Sequence, residues 1–200
     1  MQTYARIDAQ GQVTQWPVLE AHIKARGLPM RFFELVIDRP APSHNRLTHT
    51  AVRRKPTRDD AGRLMQAWEI MPRGVEAVRQ DQIDRLADYR WRKETGGVSL
   101  PDGGAIDTTR EAQAQVSSAF NALSSGMIES VEWKSRLGWV TVTLAEFGLI
   151  AGMVAKHVQA CFSAERAVTL DIEAAETVDD LAALDISGSF DAAYRAAMTA

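Results

Sequence analysis

The sequence predicts an α+β protein: a small β-rich front, a connecting helix, and a helix-rich back decorated by two hairpins. Three observations carry that reading. Residues 1–72 fall into short runs of β-formers separated by Gly and Pro. Val75 to Thr95 contains neither Gly nor Pro. In the back half, Phe147, Ile150, Ala151, Val154, Val158, Cys161 and Phe162 repeat at i, i+3, i+4 and i+7, the mark of an amphipathic helix. The expected boundaries are 1–72 for the β-rich domain, 73–97 for the connecting helix and 98–200 for the helical domain.

Taken in order, Thr3 to Asp8 and Val13 to Trp16 flank Ala9-Gln10-Gly11-Gln12 and read as a hairpin. Pro17 suits a first helical position, so a short helix is expected through Leu19 and Ile23 until Gly27 and Pro29 stop it. Arg31 to Asp38, rich in Phe, Val and Ile, is a strand. Arg39 to Asn45 is then a proline-rich linker, because ring-locked φ angles favour extended backbone. Leu47 to Lys55 and Arg63 to Met71 form a second hairpin around a polar loop ending in Gly62.

Val75 to Thr95 is the expected connecting helix, ended by Gly96 and Gly97, where left-handed backbone is least costly. Val98 to Leu100 and Ala105 to Asp107 pair across Pro101-Asp102-Gly103-Gly104. Thr108 or Thr109 caps a helix to about Ser125, with Glu111 in its first turn facing the positive end of the helix dipole. A third hairpin runs from Glu132 to Thr143 around Arg136-Leu137-Gly138. The striped helix extends from 144 to about 166, prolonged by Ile172 and Ala174, and Thr177 starts another through Leu181 and Leu184. Ile186 to Ala200 reads as a weakly specified tail.

Composition narrows the function classes. With 46% hydrophobic and 24% charged residues, the 200-residue chain is ordinary globular material. A single cysteine excludes an intrachain disulfide and fits a reducing cytoplasm. The polar start lacks a signal core, and no window is expected to reach the roughly 18 apolar residues of a membrane span. Charge is divided unevenly: residues 1–95 hold 17 Lys/Arg against 12 Asp/Glu, and residues 96–200 hold 6 against 14. That asymmetry supports a boundary and suits contacts between opposite halves of neighbouring copies.

Catalytic and cofactor motifs are missing. There is no phosphate-binding glycine loop, no Gly-x-Ser-x-Gly elbow and no local metal-ligand spacing among His22, His44, His49, His157 and Cys161. His157, Cys161 and Glu165 share a helical face, the arrangement of a thiol, base and acid. Cys161 nevertheless sits on the apolar stripe, where a thiol packs as a small hydrophobe. Asp59-Asp60 and Asp179-Asp180 are adjacent pairs whose side chains diverge. Arg53, Arg54, Lys55 and Arg58 form the one basic surface suited to phosphates, but alternate strand faces and a lack of interleaved aromatics argue for a charged hairpin edge. No enzyme, cofactor or metal is expected.

The run Tyr89-Arg90-Trp91-Arg92-Lys93-Glu94-Thr95-Gly96-Gly97-Val98 resembles the start of a domain of unknown function common in phage tail-fibre and tail-associated proteins. Four features agree in order: the hairpin before Ile106-Asp107-Thr108 and Arg110, the Trp133-Lys134 to Gly138-Trp139 hairpin, His157-Val158-Gln159, and Cys161 to Glu165. The likeness covers residues 85 to about 185. Tyr4 to Asp8 with Gly11 and Val13 looks like the opening of phage tail proteins, and Gln66 to Ile70 resembles a junction in them.

The resemblance implies a virion tail protein made in the bacterial cytoplasm, a non-enzymatic connector in a tail fibre or baseplate. Its partners would be other tail proteins and copies of itself, without membrane or nucleic acid. Trp68, Trp91, Trp133 and Trp139 are then expected as packing or interface anchors. An assembly chaperone absent from the particle is the alternative in the same setting. A nucleic-acid-binding regulator using Arg53, Arg54, Lys55 and Arg58, and a thiol enzyme using Cys161, are alternatives from other classes.

Overall fold

A computed structural model describes residues 2–99, 104–135 and 138–200. The architecture is α+β and divides into two compact units, Met1–Gly74 and Val75–Ala200.

In the first unit, β1 (Thr3–Ile7) pairs antiparallel with β2 (Val13–Leu19), and Gly11 supplies the positive φ their connection needs. The strand β2 continues through Pro17 instead of yielding to a helix there. Pro17 lacks an N–H, but β2 lies at the edge of the sheet order β2-β1-β3, where a missing donor is tolerated. The short helix α1 (Glu20–Ala25) therefore starts three residues later than the proline suggested. The strand β3 (Phe33–Leu35), shorter than expected, follows a single 3₁₀ turn at Met30–Phe32.

After the proline-rich linker, β4 (His49–Arg58) and β5 (Leu64–Pro72) form a long hairpin, with a register shift between Arg54 and Thr57 that accommodates Pro56. Ile37 bridges Met65 in parallel and ties the hairpin to the first sheet. Arg58 grips Glu34 through two bonds, of 2.9 and 2.8 Å, joining β4 to β3. Ala5, Val13, Val36 and Leu64 form the core between them.

The second unit begins with α2 (Val75–Thr95), so the helix expected to connect domains is itself part of the helical unit. It packs against α4 (Leu144–Ala174), α5 (Val178–Ala183) and α6 (Ile186–Thr199). Gly97 has φ +93°, and a Cβ there would lie 3.1 Å from the Ile106 carbonyl. The short pair β6 (Val98–Ser99) and β7 (Ala105–Ile106) leads to α3 (Arg110–Ser124), capped by the Thr109 side chain. Leu100 lies outside the described residues, as do Pro101, Asp102 and Gly103 of the turn expected at Pro101 to Gly104. So do Arg136 and Leu137, around which the hairpin of β8 (Ser130–Ser135) and β9 (Gly138–Thr143) was expected.

Val116, Leu123, Val142, Phe147 and Val154 form the core that joins α3, the β8–β9 hairpin and the first half of α4. Trp133 meets Phe147 edge-on at 5.1 Å. The segment expected as a loose tail is the helix α6, capped at Asp185 and anchored by fully buried Phe190. Ile186, Phe190 and Tyr194 occupy successive turns, and that spacing was the signal for it.

By length and composition α4 is long and apolar enough to cross a membrane, which corrects the expectation that no stretch approaches a span. Within the unit it is the central helix, burying Phe147, Val154, Ala160, Cys161, Ala164, Val168 and Ile172. Arg79 of α2 donates to the carbonyls of Ile172 at 3.4 Å and Ala175 at 2.7 Å, satisfying acceptors that the end of α4 leaves unpaired.

Candidate functional site

The second unit is organised around a buried acid. Glu94, in the last turn of α2, is fully buried, yet the sequence places it in the polar run Arg92-Lys93-Glu94-Thr95. Its carboxylate accepts from Arg90, one turn earlier, and from Arg110 Nη2 at 3.4 Å and Gln113 Nε2 at 3.3 Å on α3, with Arg110 Nη2 3.0 Å from its other oxygen as an ion pair. Arg90 Nε lies 3.2 Å from Glu165 Oε2 on α4, near enough to pair in charge though not aligned as a hydrogen bond. Burial opposes the charged form of Arg90, but its contacts with Glu94 and Glu165 prevail and raise its pKa. The same guanidinium sits 4.9 Å over the Phe162 ring.

The backbone carbonyl of Glu94 is equally occupied. Thr108 Oγ1 donates to it, and so does His157 Nε2, at 3.1 Å. A carbonyl only accepts, so in the neutral ring the proton is on Nε2 and Nδ1 accepts from the Tyr194 hydroxyl at 2.7 Å. Two acceptors of one residue at the end of α2 thereby hold α3, α4 and, through His157, α6. A second ion pair closes α6 onto α2: Asp191 accepts from Lys93 and from Tyr89, each at 3.1 Å. Burial would raise the Asp191 carboxyl, but the bonds from Lys93 and Tyr89 outweigh it and hold its pKa below the usual value.

Cys161 lies inside this arrangement with no exposed surface. Burial, and then the charge of Glu94, pushes its thiol up to about 11. Such a group is protonated near neutral pH, the opposite of a nucleophilic thiolate. His157 has both ring nitrogens engaged and is buried, and Glu165 is turned to Arg90. His157 and Glu165 are thus engaged with different partners, and Cys161 is packed in the interior. Among the described residues, no group of three or more His, Cys, Asp or Glu is placed to hold a metal ion.

The four Trp expected as anchors are used differently. Trp133 is half-buried against Phe147. Trp68 donates from Nε1 to the Arg39 carbonyl at 2.9 Å and lies under Arg53 at 5.2 Å. Trp91 is exposed beneath Arg110, at 5.1 Å. Trp139 is exposed beside Lys134, at 5.8 Å. Trp16, absent from the expected set, packs on the core of the first unit.

The basic surface is not an open phosphate platform. Arg53 pairs with Asp38, Arg54 with Glu69 and Arg58 with Glu34, so three of its four cations already face carboxylates, and Lys55 alone is exposed without such a pair among the described residues. Each backbone alternation places the acid across the strand pair or on the adjoining segment, a relation that reading one strand at a time misses.

An apolar groove with a volume of about 520 Å³ runs between α3 and α4, bordered by Val116, Phe120, Gly148, Gly152 and Val158. Its polar lining residues are Gln113, which also donates to Glu94, and Ser117. The helices pack around buried charges and an apolar core, while Trp91, Trp139, Leu149 and Phe162 remain exposed.

Comparison with curated proteins and with solved structures finds no match. A family model described as a domain of unknown function (DUF4376) matches residues 77–188. That span opens within α2 and ends in the first turn of α6, so it takes in Arg90, Glu94, Thr108, Arg110, Gln113, His157, Cys161 and Glu165. The match covers most of the second unit, and the chain belongs to the DUF4376 family.

Proposed function

We propose that the chain is a non-enzymatic structural component of a bacteriophage tail, a connector in a tail fibre or baseplate. The observation that carries this reading is the run from Tyr89 to Val98, with its ordered companions through Glu165, which resembles a domain common in tail-fibre and tail-associated proteins. The chemistry of the polar centre favours it: the titratable side chains there are spent on each other, and the thiol is buried and protonated. Exposed Trp91 and Trp139 suit contacts with other proteins, since large amphipathic rings concentrate binding energy at interfaces.

Mass spectrometry of purified particles tests the reading. Peptides of this chain at a fixed small copy number are the expected result. Abundance in infected cells combined with absence from particles would replace the connector with a tail-fibre assembly chaperone. Absence from both would remove the tail context.

A further inference from the structure

The segment between α1 and β3 stands out from the first unit. All nine residues from Lys24 to Phe32 are exposed, among them Leu28, Met30 and Phe32 at 42%, 43% and 41%. Both ends are fixed: Ile23 is fully buried, and β3 pairs with β1. The backbone between them is hydrogen-bonded to itself. Gly27, at φ +60°, donates to the Lys24 carbonyl, Leu28 to that of Ile23 and Phe32 to that of Pro29, at 3.1, 3.1 and 3.2 Å. Three large apolar side chains are therefore carried at the surface of one short, ordered loop.

The free charge of this loop has one sign. No acid occurs between Glu20 and Glu34, an interval that holds Lys24, Arg26 and Arg31. The two flanking acids are engaged, Glu20 with Lys24 at 2.6 Å and Glu34 with Arg58 at 2.8 Å. Among the described residues Arg26 and Arg31 form no ion pair, and neither does Arg6, which lies in register with Phe33. Arg31 sits 4.9 Å over the Phe32 ring. A groove of about 600 Å³ beside it adds one acid, Asp8, whose Oδ1 accepts from the N–H groups of Gln10 and Gln12 at 3.0 and 2.8 Å. Unpaired cations thus alternate along the loop with exposed apolar side chains.

We propose that the Lys24–Phe32 loop seats on the surface of an anionic bilayer. Leu28, Met30 and Phe32 enter the boundary between headgroups and acyl chains, while Arg26, Arg31 and Arg6 meet lipid phosphates. Arginine suits that depth, because its aliphatic stem lies along apolar surface while the guanidinium stays among the headgroups. A folded protein would have to place a pocket for each apolar tip and an acid for each cation. A bilayer offers apolar depth and phosphate at every position, so the alternation itself selects lipid. The loop is already ordered, and little conformational freedom is lost on binding. The proposal is independent of the tail reading and departs from the expectation of no membrane contact.

Flotation of the full chain with vesicles of phosphatidylglycerol and phosphatidylcholine tests it. Binding is expected to the mixed vesicles, to be much weaker on phosphatidylcholine alone, and to fall roughly tenfold or more between low and high salt. Each arginine near an anionic surface contributes roughly fivefold, so Arg26→Glu with Arg31→Glu should weaken binding by about 25-fold or more. Leu28→Ser with Phe32→Ser should weaken it by roughly tenfold or more, through loss of the inserted tips. All four positions are exposed, so circular dichroism should be unchanged in both variants. Lys55→Glu, which reverses an exposed cation on β4, should bind as the wild type does.

Failure to float with the mixed vesicles overturns the proposal. So does binding that survives Leu28→Ser with Phe32→Ser, or that Lys55→Glu weakens as much as the loop reversal, since either would mean adsorption of a cationic surface without insertion. Absence of vesicle binding together with self-association in sedimentation velocity, abolished by the loop variants, would assign the loop to a second copy and likewise overturn it.

Discussion

Removing the Glu94 carboxylate tests whether the buried charges hold the helical unit together. In Glu94→Ala, Arg90 is left with a side chain only 15% exposed and with Glu165 as its remaining acid. Arg110 is half exposed and rehydrates, and Gln113 keeps its 2.8 Å bond to the Thr108 carbonyl. Breaking a buried pair by deleting one partner costs about 3–5 kcal/mol. Because Arg90 retains Glu165 and Arg110 reaches water, the expected loss is at the lower end, about 3 kcal/mol.

Glu94→Gln keeps the volume and an acceptor oxygen, so about half that loss is expected. A double-mutant cycle with Arg110→Ala should return a coupling below about 1 kcal/mol, since that partner is solvent-screened. Urea unfolding followed at 222 nm reads the helices, most of which lie in the second unit. A Glu94→Ala chain within about 1 kcal/mol of the parent would refute the reasoning, because the carboxylate would then not be compensating buried Arg90.

Three further outcomes are expected. Phe190→Ala should destabilise the second unit by about 3–5 kcal/mol, as deletion of a fully buried ring does, with amide exchange in α6 accelerating before that of α2; undiminished protection would refute the docking of α6. Cys161 should resist a thiol reagent at pH 8 in the native chain and react in urea, and rapid native labelling would contradict a buried thiol pushed up to about 11. The Asp191 carboxyl has a folded pKa below its unfolded value. Its contribution is therefore present above the unfolded carboxylate range and is lost as pH falls through the folded pKa. Asp191→Asn should accordingly lower stability at neutral pH and flatten its decline on the acid side, and an unchanged acid limb would exclude that contribution.

Local pattern was enough to read much of the fold. The absence of Gly and Pro in α2, the apolar stripe of α4, and Thr109 and Thr177 as caps each express a preference settled within one or two turns of backbone. The β1–β2 and β4–β5 hairpins were legible for the same reason, since alternation and turn residues are adjacent in sequence. The resemblance over residues 85 to about 185 anticipated the family span of 77–188.

Other features were decided by contacts at long range. Pro17 satisfied the local rule for a helix start, but pairing with β1 made it part of an edge strand. Ile186 to Thr199 looked unspecified because its partners Tyr89 and Lys93 lie about a hundred residues earlier in the chain. Glu94 reads as a solvated helix-end acid, and its burial is visible only once Arg110, Gln113 and His157 are brought to it. A sequence window reports what a backbone prefers and which face is apolar. Which charge is buried depends on partners delivered from other elements, since an ion leaves water only where the fold supplies its counter-charge and hydrogen bonds.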